Sequence, residues 1–178
     1  MTRRLLPLLC LLLALALTAC GGSTGYAENG FADGGLEDTM HTRFFNFTIH
    51  SAALSDSFDG YVPQEGYQLL AAEVTVASTF PQTLPMSFLD FQVQWGEERG
   101  TGQFGYPVCL GEEDDFSTYE TVSDRQLPVL YELRSEETRE GVLLYEVPRG
   151  ETAFSISYQE LFDDGTEGDV FFVYFTCP

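Results

Sequence analysis

The chain has no lysine, one tryptophan and two histidines, and no stretch of it repeats the apolar spacing of an amphipathic helix. Each shortage removes a class of function. Without lysine there is neither Schiff-base chemistry nor a lysine-activated serine. His41 and His50 fall short of the four ligands of a structural zinc site and the three protein ligands of a catalytic one. No nucleophile elbow or Ser-x-x-Lys pair occurs, and no glycine-rich loop has the strand-to-helix context that cradles phosphate. Gly96, Gly100, Gly102 and Gly105 punctuate a strand connection instead. Positive charge is scarce: eight arginines stand against 28 acidic residues, a formal charge of −20. Such a surface repels phosphate backbones and anionic headgroups, which excludes nucleic acid as a partner. Acids are so numerous that no pair of them points to glycosidic chemistry. The residues therefore indicate a non-enzymatic protein that needs no cofactor.

Long apolar runs are missing too. The longest, Leu5–Leu17, is shorter than the roughly 20 residues a membrane helix requires. Preceded by Arg3 and Arg4 and followed by small residues, it has the three parts of an export signal. Thr2-Arg3-Arg4 hints at a twin-arginine signal, but the minimal basic region and leucine-rich core favour the general secretory route. Leu17-Thr18-Ala19-Cys20 fits the lipobox pattern, followed by Gly21-Gly22, and the segment resembles bacterial lipoprotein precursors. That resemblance implies removal of residues 1–19 and attachment of fatty acyl chains such as palmitate to Cys20. The expected place is then the extracytoplasmic face of the cell membrane, lipid-anchored, with the acyl chains as the contact to the bilayer. Each buried CH2 contributes about 0.8 kcal/mol to such an anchor. Loss of the signal takes two arginines with it, leaving a formal charge of −22.

Of four cysteines, Cys10 leaves with the signal and Cys20 carries lipid, so Cys109 and Cys177 remain. They are either a disulfide or two free thiols acting as small hydrophobes. The oxidising side of the membrane favours the bridge. By closing a loop of nearly seventy residues it would stabilise by roughly 4 kcal/mol.

Residues 20–41 are glycine-rich and aperiodic, which predicts a flexible tether with a reach of about 25 Å. From 42 to 178 the pattern is strand after strand, with turn residues between. Phe45, Phe47 and Ile49 share one face, and Leu70, Ala72, Val74 and Val76 share another. Leu89, Phe91, Val93 and Trp95 alternate with Asp90, Gln92 and Gln94. Leu143, Tyr145 and Val147 form a set, and Phe154, Ile156 and Tyr158 alternate with Ser155, Ser157 and Gln159. Residues 128–135 read as a shorter strand, and 109–125 as a short helix or long loop. The last segment, Asp169–Cys177, is apolar on both faces, as a central strand is. About seven such segments predict an all-β fold, an antiparallel β-sandwich.

Pro63-x-x-Gly66-Tyr67 leading into Leu70-x-x-x-Val74-x-Val76, together with Gly141–Pro148, resembles the strands of telokin-like bacterial lipoprotein domains. These are immunoglobulin-like sandwiches related to a secreted mycobacterial immunoprotective antigen. Ser78 stands where that family often has Asn. The resemblance, over roughly 42–177, implies an immunoglobulin-like fold and an extracytoplasmic place, and brings no catalytic residues.

Two acidic clusters remain, Glu112-Glu113-Asp114-Asp115 and the stretch with Asp163, Asp164, Glu167 and Asp169. Clustered carboxylates are the ligands of hard cations such as Ca2+, which makes a divalent-cation-binding envelope protein the alternative function. As an EF-hand from Asp163 the second cluster fails, because Gly165 and Tyr174 replace ligands; the other reading is a polar hairpin turn. Tyr61, Phe104, Tyr106 and Phe116 fall in connections, where they either form a contact surface or fold back over the sandwich ends. The leading expectation is a surface binding or accessory module whose partner is an envelope protein or small ligand.

Overall fold

The computed structural model describes residues 25–96, 102–112, 115–162 and 164–178. Alternating segments become strands because only extended backbone sends successive side chains to opposite faces. In chain order these are β1 (Phe31–Gly34), β2 (Thr39–His41), β3 (Phe45–Ser55), β4 (Tyr67–Ser78), β5 (Leu84–Ser87), β6 (Phe91–Trp95) and β7 (Gln103–Gly105). There follow β8 (Cys109–Leu110), β9 (Glu120–Thr121), β10 (Leu130–Leu133), β11 (Thr138–Pro148), β12 (Ala153–Leu161) and β13 (Glu167–Thr176). The first sheet runs β11-β4-β3-β2 and the second β1-β13-β12-β6-β7, with the two-stranded pieces β10-β5 and β8-β9 beside them.

The inward sets meet as the alternation requires. Phe45, Phe47, Ile49, Val74, Val76 and Tyr145 from the first sheet pack against Phe91, Val93, Ile156, Tyr158 and Phe171 from the second. At the centre Phe47 meets Phe91 edge-on at 5.3 Å and Phe45 meets Tyr158 at 4.8 Å. Burying each of these side chains contributes about 1.5–3 kcal/mol. The all-β sandwich is thus the observed fold, with thirteen strands among the described residues instead of about seven; the seven expected segments correspond to β3, β4, β6, β10, β11, β12 and β13.

Several boundaries differ from expectation. The tether expected over 20–41 is largely part of the domain, so the boundary at 42 is too late. Gly25 O accepts from His41 N at 2.8 Å, β2 pairs with β3, and β1 pairs with β13. The pairing of β1 is parallel, Phe31 opposite Val170 through Gly34 opposite Val173, which adds an edge strand to the second sheet. A four-residue strand that buries only Ala32 leaves too short a trace for periodicity to reveal. Residues 87–95 are not one strand: Ser87 caps a 3-10 turn over Phe88–Asp90 that buries Phe88, and β6 begins only afterwards. In place of a helix, Cys109–Leu110 and Glu120–Thr121 form the β8–β9 pair, with a 3-10 turn at Phe116–Thr118 between them.

The disulfide expected between Cys109 and Cys177 is also corrected. Both thiols are free, Cys177 buried at the end of β13 and Cys109 half-buried on β8. The Cys177 thiol donates instead to Ala52 O at 3.6 Å. Burial holds both thiols above their ordinary pKa, so they sit as small apolar groups.

Candidate binding groove

The outward face of the second sheet carries the best-formed candidate site. Its side chains line up because register fixes which residues stand side by side across the strands. One row reads Phe104 on β7, Gln94 on β6, Ser155 on β12 and Tyr174 on β13. The next places Gln92, Ser157 and Phe172 in line, and Tyr106, just beyond β7, completes it by accepting a hydrogen bond from Gln92 Nε2 at 3.2 Å. Two successive rungs therefore have the same order: aromatic, glutamine, serine, aromatic.

Side-chain size makes a trough of these rungs. Ser155 and Ser157 are only 6% and 5% exposed although they point outward, because taller neighbours overtop them. Phe104, Tyr106 and Tyr174 stand out as walls at 56%, 51% and 39% exposure. The walls are braced: Phe104 meets Tyr106 edge-on at 5.9 Å, and Tyr174 stacks on Phe172 at 5.9 Å. Trp95 Nε1 donates to Gln103 at 3.1 Å and ties β7 to the sheet. Gln94 Nε2 donates to Ser157 Oγ at 3.4 Å. A primary amide has two N–H donors and a two-lone-pair acceptor, so Gln92 and Gln94 keep capacity for a ligand. The trough widens past Gln159 into a groove of about 950 Å3 whose far end is lined by Leu84, Met86 and Leu89. A smaller hollow of about 120 Å3 at Ser155 and Tyr174 shares Gln94 with it. None of the eight rung residues carries a formal charge; Asp33 on β1 stands in register beside Phe172 at the edge of the second rung, and Asp90 and Asp164 line the groove's wider part.

Tyr106 also borders a second hollow with Tyr61, Cys109 and Glu146. There Tyr61 Oη donates to Glu146 Oε1 at 2.6 Å, and burial together with that bond pushes the phenol up to about 12. Burial likewise keeps Cys109 a thiol, the weakly nucleophilic form.

The other sequence candidates are dispersed. Cys20 and Asp163 lie outside the described residues. Asp164 spends its carboxylate within the turn, accepting from Thr166 N at 3.0 Å and Thr166 Oγ1 at 2.7 Å, which lowers its pKa. Gly165 takes φ +80 there, as a polar hairpin turn requires. Glu167 begins β13, and Asp169 offers its backbone N–H to Glu160. Among the described residues no three His, Cys, Asp or Glu side chains converge as metal ligands. His41 bonds Asn46 and stacks on Tyr26 at 4.2 Å, and His50 bonds Glu37 and Thr75.

Of the exposed aromatics, Tyr61 folds back over the small apolar cluster of Leu69, Val142 and Leu144, and Phe116 packs on Tyr119. Phe104 and Tyr106 form the groove wall. Sequence reasoning placed Gln92, Gln94, Ser155 and Ser157 outward without seeing that they are cross-strand neighbours. It read Phe172 and Tyr174 as covered, since a doubly apolar strand is normally sandwiched on both faces.

No family model matches the chain, and no curated protein matches it. Solved structures share its fold. A Bacillus subtilis protein described as a candidate lipoprotein, ycdA, superposes with a TM-score of 0.55 at 13% identity. The match covers 78% of this chain but 38% of that one, so the chain spans little more than a third of that neighbour's length. The yjhA protein of Bacillus subtilis gives a TM-score of 0.55 at 18% identity, covering 81% of this chain and 99% of the other.

Proposed function

We infer that the chain is a non-enzymatic envelope lipoprotein, anchored through acyl chains on Cys20, whose outward β6–β12 trough is its binding surface. The observation that carries this reading is the pair of matched rungs: eight side chains without formal charge, four of them aromatic, on a strongly acidic domain. Large exposed apolar groups gathered in one patch mark interaction sites. The anchor is supported by the signal and lipobox residues, and the telokin-like resemblance of Gly66–Val76 and Gly141–Pro148 points the same way. A candidate lipoprotein among the fold neighbours agrees with it.

The absorption of residues 25–41 into the sandwich changes what such an anchor does. Only residues 21–24 separate Cys20 from Gly25, where the described domain begins, and the five Cα–Cα steps between them span at most about 18 Å. The module therefore stands close to the bilayer instead of ranging over it.

Fractionation tests the anchor: the full chain partitions with membranes and Cys20→Ser releases it; membrane retention of Cys20→Ser refutes the lipid attachment. Retention on isolated cell-envelope material tests the surface. Phe104→Ala/Tyr174→Ala, at exposed positions that leave the core intact, is expected to lose it. Equal retention of this variant and the parent removes the trough as the binding face.

A further inference from the structure

Resting on that reading of the trough, we propose that its ligand is an uncharged polysaccharide lying along β6 and β12, with sugar rings against the aromatic walls and hydroxyls on the glutamine and serine floor. Three independent features of the face select this chemistry. The first is charge. In a chain with 28 acidic residues the eight rung positions hold none, and the carboxylates that border them, Asp33 beside Phe172 and Asp90 and Asp164 along the groove, join the rest of the surface in repelling anionic polymers. A neutral polyol meets no such barrier.

The second is the functional-group pattern. A pyranose has C–H faces and an equator of hydroxyls that both donate and accept. Exposed aromatic faces suit the former, and primary amides and hydroxyls, which also donate and accept, suit the latter. Gln92 and Gln94 are held by Tyr106 and Ser157 at 3.2 and 3.4 Å, so their amides are oriented before a ligand arrives. Pre-orientation lowers the entropy lost on binding.

The third is shape. The two rungs repeat along the strands at about 6.8 Å, and the walls stand three strand spacings, or about 14 Å, apart. The groove along Gln94, Gln92 and Ser157 continues past Gln159, and the hollow at Ser155 and Tyr174 adjoins it at Gln94. It admits a chain running through it; a closed pocket would admit only a terminal unit.

The test is calorimetric titration of the detergent-solubilised full chain with neutral oligosaccharides (β-glucan, xylan, mannan, α-glucan and N-acetylglucosamine series) and with polygalacturonate as the anionic comparison. Saturable binding is expected for at least one neutral series and not for polygalacturonate. Gln94→Ala and Tyr174→Ala are each expected to weaken it at least tenfold at unchanged melting temperature, whereas Glu73→Gln on the opposite sheet leaves it unchanged. Absence of binding by every neutral series, equal affinity of the trough variants, or preference for the anionic polymer overturns the proposal. If envelope retention still depends on Phe104 and Tyr174 while no neutral series binds, the binding-face reading stands and the glycan assignment alone falls. Sedimentation that shows a dimer abolished by Tyr174→Ala assigns the face to a second copy and likewise overturns it.

Discussion

Replacing Glu160 by alanine offers a quantitative probe of how the two sheets are clamped at one end. The side chain sits at the irregularity between Gln159 and Leu161, where the β12–β13 register shifts. It is 3% exposed, with Oε1 accepting from Arg43 N at 2.6 Å and Oε2 from Asp169 N at 3.3 Å. Arg43 lies in the turn between β2 and β3 of the first sheet and Asp169 lies on β13 of the second, so one carboxylate bridges both layers. Gly168 makes room for it: a Cβ there would stand 2.7 Å from the Glu160 side chain. A hydrogen bond to a charged group contributes about 1.5–3 kcal/mol, the shorter bond near the top of that range and the longer at or below its bottom. The carboxylate's own desolvation offsets part of the sum. Glu160→Ala is expected to cost about 2–4 kcal/mol, or roughly 4–16 °C in melting temperature for a domain of this size. Glu160→Gln keeps one acceptor and turns the other oxygen into a donor facing an N–H, for about half the loss. Urea unfolding followed through the single tryptophan, Trp95, reads both. A Glu160→Ala stability within 0.5 kcal/mol of the parent, or a Glu160→Met variant equal to it, would show that the bridge contributes nothing net.

Alkali should loosen the fold in a defined window. The unfolded phenol of Tyr61 titrates at 10.0 and the folded one at about 12, so the folded state binds more protons between those values and stability falls as pH rises through them. Tyr61→Phe is expected to flatten that slope in pH-dependent unfolding, with Tyr131, Tyr145 and Tyr158, all pushed up by burial, supplying what remains. Thiol labelling of the protein purified without reductant should count two reactive groups from Cys109 and Cys177 after unfolding, Cys109 reacting first in the native state; recovery of neither thiol would restore the disulfide. Calorimetry with Ca2+ should show no saturable heat, identical for the parent, Asp164→Asn and Asp169→Asn, and a saturable response lost in either variant would restore the cation site.

The long strands were legible because their inward sets are regular. Phe45, Phe47 and Ile49 need only period two, and so do Leu143, Tyr145 and Val147, with Val142 and Leu144 buried separately under Phe58, Tyr61 and Val122. Where the backbone breaks phase, the pattern stops speaking. β3 shifts register between Ile49 and Ser51, so the inward set continues at Ala52 and Leu54, one residue out of step. The signals for β1 and β2 were too short to separate from a glycine-rich tether: β2 has three residues, and β1 has four and pairs in parallel with β13, a partner more than 130 residues away. The trough lay in the same blind spot. Each strand announced its own outward residues, but a rung exists only when four strands agree in register, and register between distant strands is a tertiary property.

Charge explains why such a face can remain bare. The outward side of the first sheet carries Glu73, Glu140 and Glu146, and loops bearing Phe58 and Tyr61 cover its apolar half. The second sheet lacks both devices across β6, β12 and β13. An open patch of aromatics and amides invites self-association. A large net charge of one sign on the remaining surface opposes it by keeping copies apart. The acidity and the neutral trough are therefore complementary parts of one arrangement: carboxylates elsewhere supply the repulsion that lets this face stay uncharged. A carboxylate moved into the trough would gain solubility locally, and would place an unpaired charge where amide and hydroxyl groups now stand ready for a neutral ligand.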